Sequence, residues 1–221
     1  MCRFLIAKFE SPTNSGKILK EFSLMAKNSQ AFDGDWQGDG WGVSWIDEIG
    51  SWQTRKSLLP IWEGEKLFAS FPKTSFLAVH ARSASFPDQK DIIEYNQPFV
   101  EEPYLFVFNG LLKKVALSSL PGRIGSQKIW FLLKKLLKRL EPKEALLKIK
   151  TVLLENTENI QALNIGLCDK GKIYSLCYFS KYPDYYQLRH FQNSDVKIVC
   201  SGELRGYGEF KPLIVNEVSE I

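Results

Sequence analysis

Residues 1–10 read MCRFLIAKFE, a cysteine directly behind the initiator methionine, then an arginine and a short apolar run. A cysteine beside an N-terminal strand can simply fill core space. The alternative is that the chemistry needs a thiol at the end of the chain. Removal of Met1 would put the Cys2 thiol and a free α-amine on one residue. That amine, with a reference pKa of about 7.7 to 8.0, is a base near neutral pH, and a thiol of pKa about 8.5 is only a few per cent ionised without one. Such a catalyst needs no histidine. The rest of the chain has to decide between the two readings.

Composition sets the frame. A chain of 221 residues, 44% of them apolar, with six tryptophans, is long enough to bury a substantial core, and it reads as one domain over 1–221. The formal charge of +4 is far from the balance that implies nucleic acid, so no nucleic-acid partner is expected. No N-terminal apolar leader and no run near the ~18 apolar residues of a membrane span occur, so a cytoplasmic protein without a membrane partner is expected. Cys168, Cys177 and Cys200 lie in apolar, strand-like runs and read as buried reduced thiols. With His80 and His190 alone, no zinc site assembles, and neither a metal nor a cofactor is expected.

Residues 14–30 have helical spacing of Ile18, Leu19, Phe22 and Met25. The glycine-rich DGDWQGDGWGVSW (33–45) leads from a tight loop into a strand and lacks the pattern of a phosphate loop. Segments 41–47 and 52–58 read as strands joined by DEIG, with Gly50 at the turn. TSFLAVHARSAS (74–85) is a strand entering a polar loop, and PYLFVFNGLL (103–112) is another, its NG near the end. Helices follow from Ser126 and from Pro142 to about Glu155. Four strand-like runs then start at Ile160, Lys172, Tyr185 and Val196. That order predicts a layered α+β domain with mostly antiparallel sheets and segregated helices.

Asn109 and Gly110 are candidates for an oxyanion hole, since a side-chain amide and a glycine N–H at a strand end can supply two donors to a developing oxyanion. Asn-Gly is equally a common turn dipeptide. Arg82, in a loop of small residues after a strand, suits bidentate binding of a substrate carboxylate, or is a surface arginine.

Taken in order, MCR, GDGWGVSW (38–45), HARSAS (80–85), NQPF (96–99) and FNG (108–110) resemble the class II glutamine amidotransferase domain, the N-terminal-nucleophile glutaminase domain. These motifs cover roughly the first 115 residues, KIVCSGEL (197–204) is similar to a late strand of the family, and the chain length resembles its stand-alone members. The resemblance implies a four-layer αββα sandwich of two stacked antiparallel sheets. It also implies a Cys2 nucleophile that attacks the side-chain amide of glutamine or a γ-glutamyl compound and forms a thioester, releasing ammonia or an amine. Asn109 and Gly110 match the family's oxyanion pair. Arg82 matches the arginine that holds the substrate α-carboxylate, and Trp41 and Gly42 match its DGWG segment near the site. A small-molecule substrate and a partner protein accepting ammonia are the partners implied.

Three positions depart from the family pattern. Gln97 and Phe108 stand where N-x-H-P-F and H-N-G carry histidines. IGSQ (124–127) occupies the place of S-D-S-E, with Gly125 where an aspartate binds the substrate α-ammonium and Gln127 for the glutamate. Loss of one charged hydrogen bond costs about 1.5 to 3 kcal/mol. Either the substrate is not free glutamine, or the domain has kept the fold and lost efficient activity in favour of a regulatory or scaffolding role. The basic stretch KIWFLLKKLLKRLEPKEALLKIK (128–150) reads as a surface for an acidic partner, a nucleic acid or an anionic membrane, or as two core helices with solvated lysines. A Cys–His site built on one of the later cysteines is a third possibility.

Overall fold

A computed structural model describes residues 1–29, 31–117 and 119–221. In chain order the strands are β1 (Arg3–Asn14), β2 (Trp41–Ile46), β3 (Trp52–Ser57), β4 (Lys73–Ala81), β5 (Phe99–Glu101), β6 (Tyr104–Val115), β7 (Thr157–Cys168), β8 (Ile173–Leu176), β9 (Arg189–Gln192), β10 (Val196–Cys200), β11 (Lys211–Pro212) and β12 (Val218–Glu220). The helices are α1 (Gly16–Lys27), α2 (Glu65–Phe68), α3 (Gly125–Leu137), α4 (Pro142–Glu155) and α5 (Pro183–Tyr186).

The strands form two sheets, one in the order β11-β9-β10-β1-β4-β2-β3 and the other β12-β8-β7-β6-β5, and every pairing between neighbours is antiparallel. Alternation along the strands explains the layering. In β1, Leu5 and Ala7 face α1, where they meet Ile18, Leu19 and Phe22. Phe4 and Ile6 face the other way and meet Leu105 and Val107 of β6 between the sheets. Phe106 and Phe108 of β6 turn outward onto Ile129, Trp130 and Leu133 of α3 and Leu146 and Ile149 of α4. Three apolar layers separated by two sheets give the four-layer αββα sandwich, and each fully buried Leu, Ile or Phe contributes on the order of 1.5 to 3 kcal/mol.

The first helix is shorter than the spacing suggests, 16–27, and residue 30 of that expectation lies outside the described residues. The 41–46 and 52–57 hairpin turns at Asp47, whose carboxylate accepts the N–H groups of Ile49 and Ser51 at 3.1 and 2.8 Å. Asn109-Gly110 is not a turn: β6 runs on to Val115, with Asn109 opposite Asn164 and Gly110 opposite Leu163. Nor do Tyr185 and Tyr186 begin a strand. Pro183 starts one short helical turn there behind Tyr182, which sits at φ +57. The apolar faces of 128–150 are core, packed on the second sheet.

Candidate active site

The N-terminus enters β1 at the centre of the first sheet, between β10 and β4, and this position gathers the site. Arg3 pairs with Ala81, the last residue of β4, so Cys2 lies beside the segment that follows β4. The Ser83 N–H points at the Cys2 sulfur at 3.5 Å, and the thiol faces the Ser83 carbonyl at 3.6 Å. Arg3 is buried. Its guanidinium donates to the carbonyls of Tyr185 and Ser201 at 2.6 and 2.8 Å, its Nε donates to Ser29 Oγ at 2.7 Å, and it lies 3.6 Å over the Tyr185 ring.

Met1 is held as well. Its α-ammonium and the Ser83 hydroxyl both donate to the same oxygen of Asp35. The Tyr185 hydroxyl donates to the Met1 carbonyl at 3.0 Å and accepts from Gln37 at 2.8 Å, while the Tyr186 hydroxyl reaches the Met1 sulfur at 3.0 Å. Burial lowers the pKa of this ammonium, with the Cys2, Asp33 and Asp39 charges acting in the opposite sense.

Arg82 is 4% exposed, not a surface arginine. Its backbone is fastened to the glycine-rich loop, N–H to the Gly40 carbonyl at 2.8 Å and carbonyl from the Asp39 N–H at 3.0 Å. Its guanidinium donates to the carbonyls of Gln89 and Lys90 at 2.6 and 3.2 Å and to Asn96 Oδ1 at 3.4 Å. Burial lowers its pKa, which still leaves a group of this type cationic in water near neutrality.

Asn109 is 1% exposed, and neither its amide nitrogen nor its amide oxygen has a partner among the described residues. It shares the inward face of β6 with Leu105 and Val107. A buried amide left unpaired costs about 1 to 3 kcal/mol, so a water or another polar group is needed beside it. Gly110 is sterically fixed: a Cβ there would lie 2.3 Å from the Ala162 carbonyl oxygen and 2.7 Å from the Phe108 ring.

His80 is fully buried between the sheets, with Nε2 3.2 Å from the Phe108 carbonyl. A carbonyl only accepts, so Nε2 carries the proton and Nδ1 is the bare nitrogen. Burial above all, then the charges of Arg82, Lys56 and the N-terminus, push its pKa down to about 3. His80 is therefore neutral and is no proton donor near pH 7.

A cavity of about 910 Å³ has Cys2, Asp35, Arg82, Ser83, Gly110 and Gly125 on its lining, whereas Asn109 lies behind that lining, between Phe108 and Gly110, which are on it. Trp41 and Gly42, read from the sequence as substrate-binding, do not line it. Trp41 faces the α1 layer and meets Phe68 edge-on at 6.1 Å, because its place in β2 points it away from the second sheet. Gly42 lets the chain at Gln97 come close, since a Cβ there would lie 2.2 Å from the Gln97 carbonyl oxygen. Both residues support the wall. Asp35, Ser83 and Tyr185 were not singled out from sequence. The alternation of Asp and Gly through 33–40 was the available signal for Asp35, whereas nothing local distinguishes Ser83 or Tyr185.

The fold as a whole is shared with solved structures. The chain is similar to a glutamine aminotransferase class-II domain protein from Silicibacter pomeroyi, at 15% identity over 100% of this chain and 98% of that one, with a TM-score of 0.66. The fold is that of a class II glutamine amidotransferase domain. A predicted glutamine amidotransferase from Pseudomonas aeruginosa matches at 14% identity over 99% and 96% of the two chains, TM-score 0.57. Glutamine phosphoribosylpyrophosphate amidotransferase from B. subtilis matches at 14% identity and TM-score 0.61 over 90% of this chain but 42% of its own length. No family model and no curated protein sequence matches the chain. Within this amidotransferase fold the three later cysteines are poor nucleophiles. All three are fully buried and none is on the cavity lining, and burial raises the Cys168 thiol well above its ordinary pKa, Cys177 to about 11 and Cys200 to about 12, which disfavours the Cys–His alternative. No helix among the described residues is long and apolar enough to cross a membrane, and no cluster of His, Cys, Asp and Glu among them could hold a metal.

Proposed function

We propose that the protein is an amidohydrolase in which Cys2, freed of Met1, attacks the side-chain amide of glutamine or of a γ-glutamyl compound. The observation that carries this reading is the Cys2 thiol at the cavity, against Ser83 and on the same lining as buried Arg82.

The chemistry follows from one residue's two functional groups. The Cys2 α-amine takes the thiol proton, and the thiolate adds to the amide carbon. Asn109 Nδ2–H and the Gly110 N–H stabilise the oxyanion, which gives the otherwise unpaired Asn109 amide a partner. The C–N bond breaks and the α-ammonium returns its proton to the departing ammonia or amine. Water then attacks the thioester, glutamate leaves, and the thiol is restored. Arg82 holds the α-carboxylate, its guanidinium already oriented by Gln89 and Lys90. A partner protein that accepts the ammonia belongs to the same proposal.

The contacts of Met1 favour a second reading. A methionine retained on Asp35, Tyr185 and Tyr186 turns the Cys2 amine into an amide and abolishes the base, leaving a binding or scaffolding member of the fold. One pair of measurements separates the two. The intact mass shows whether the chain starts at Cys2. Release of ammonia or glutamate, lost in Cys2→Ala, then supports the enzyme. A processed protein that turns over no γ-glutamyl amide, and whose Cys2 stays unlabelled by a glutamine-analogue electrophile, is not this enzyme.

A further inference from the structure

The cavity follows β6 from Phe108 to Val115, a path of roughly 23 Å at ~3.3 Å per residue. Its 910 Å³ is near the upper end of pockets that enclose a drug-sized ligand, about 300 to 1,000 Å³. Free glutamine, with ten heavy atoms, engages Cys2 and Arg82 and leaves most of that path empty.

The two parts of the path differ in chemistry. The acidic residues lining the cavity, Asp33 and Asp35, belong to the loop that holds the N-terminus. Past Gly110 the walls are apolar, from Leu111, Leu112, Leu117, Leu120, Ile129 and Leu132. Around them stand Lys113, Arg123 and Lys128, which have no carboxylate partner among the described residues, while neighbouring Lys114 is paired with Glu158 at 2.6 Å. Lys113 is three residues beyond Gly110, roughly 10 Å along the strand. Helix α3 begins on the same wall with no acidic residue in its first turn and no side-chain cap, so its end adds positive character. Gly125 leaves the entrance open, since a Cβ there would have no neighbour within 4 Å.

We propose that the substrate is a glutamine derivative extended by an apolar stem that ends in an anionic group. The glutamyl end lies at Cys2 and Arg82, the stem along the leucines, and the anion at Lys113, Arg123 and Lys128. This rests on the reading of Cys2 as the nucleophile. A stem on the amide nitrogen leaves as the amine in the first half-reaction. A stem on the α-nitrogen stays on the glutamyl product while ammonia leaves. In both cases water supplies the atoms that complete the hydrolysis.

The test compares kcat/KM of the methionine-processed protein for free glutamine, γ-glutamyl-6-aminohexanoate and N-α-adipoylglutamine. The hexylamide and the N-α-hexanoyl compound, which lack the distal carboxylate, are the controls. One of the two carboxylate-ended compounds is expected to exceed both glutamine and its own uncharged control by at least tenfold, and which one does so locates the stem. Arg123→Ala with Lys128→Ala is expected to remove that preference and leave glutamine turnover within about twofold. Glutamine as the best substrate, equal rates for charged and uncharged stems, or an equal loss for all compounds in the double variant would overturn the proposal while leaving Cys2 chemistry intact. No turnover of any compound, with Cys2 inert to a glutamine-analogue electrophile, overturns both.

Discussion

The Gln97 side chain bonds to both backbone groups of Phe108: Oε1 accepts the N–H at 2.6 Å and Nε2 donates to the carbonyl at 3.4 Å. Strand β5 pairs with β6 from Glu101, opposite Tyr104, to Phe99, opposite Phe106, and no further. The amide of Gln97 therefore continues the ladder by one step where the neighbouring strand has not yet begun. Gln97→Ala leaves a buried N–H unpaired and is expected to destabilise the fold by about 1 to 3 kcal/mol. A lowered denaturant midpoint at unchanged m-value would show it; an unchanged midpoint would mean that water or the backbone replaces the amide.

His80 makes stability depend on pH. Its folded pKa of about 3 lies below the reference value of 6.5, so between these values the unfolded chain binds a proton that the native protein refuses. Stability contributed by this residue is complete above pH about 6.5 and falls as the pH drops toward 3, by up to ~1.4 kcal/mol per unit. Urea unfolding at pH 7.5 and 5.5 is expected to show a larger acid loss in the parent than in His80→Gln. Parallel losses in both proteins would assign the effect to other groups.

Gly125→Asp returns a carboxylate to the start of α3, where the open space accepts it. The KM for free glutamine is expected to fall by about one to two orders of magnitude, the worth of a charged hydrogen bond of about 1.5 to 3 kcal/mol. Initial-rate kinetics decide, and an unchanged KM would show that the ammonium is bound elsewhere in the cavity.

Asp35→Asn removes the carboxylate on the Met1 ammonium and breaks its link to Ser83. In protein that retains Met1, the amine is expected to lose its proton at lower pH, since an adjacent negative charge favours the ammonium. The pH dependence of N-terminal acylation measures this directly. A midpoint that does not move would mean that Asp33 and Asp39 supply the field instead.

Much of the fold was legible in the sequence because its signals are local. The leucines of 129–140 and the alternating strands at 74–81 and 103–108 carry their periods on their own. For Asn109-Gly110 the sequence left a turn open for a physical reason: the dipeptide's turn preference is intrinsic, whereas here glycine is needed because the Ala162 backbone passes within reach of any Cβ. Strands β5, β11 and β12 span two or three residues, too few to show a period. In the site, Cys2, Arg82 and Gly110, candidates by residue type and chain position, meet on one cavity lining. Asp35 and Ser83 were not, since their meaning depends on Met1 meeting a loop 34 residues away.

Arg3 sets an order of events in the cell. The groups that seat it, the carbonyls of Tyr185 and Ser201, lie 182 and 198 residues downstream. At ribosomal speeds of ~5 to 20 residues per second, roughly 9 to 36 s pass between synthesis of Arg3 and of Tyr185. For that interval the N-terminus has no seat and Met1 is open to an aminopeptidase. Once the chain is complete, Tyr185, Tyr186 and Asp35 close around the methionine. A chain trimmed within that interval folds with a free Cys2 amine, whereas one that keeps Met1 folds with the methionine held by Asp35, Tyr185 and Tyr186.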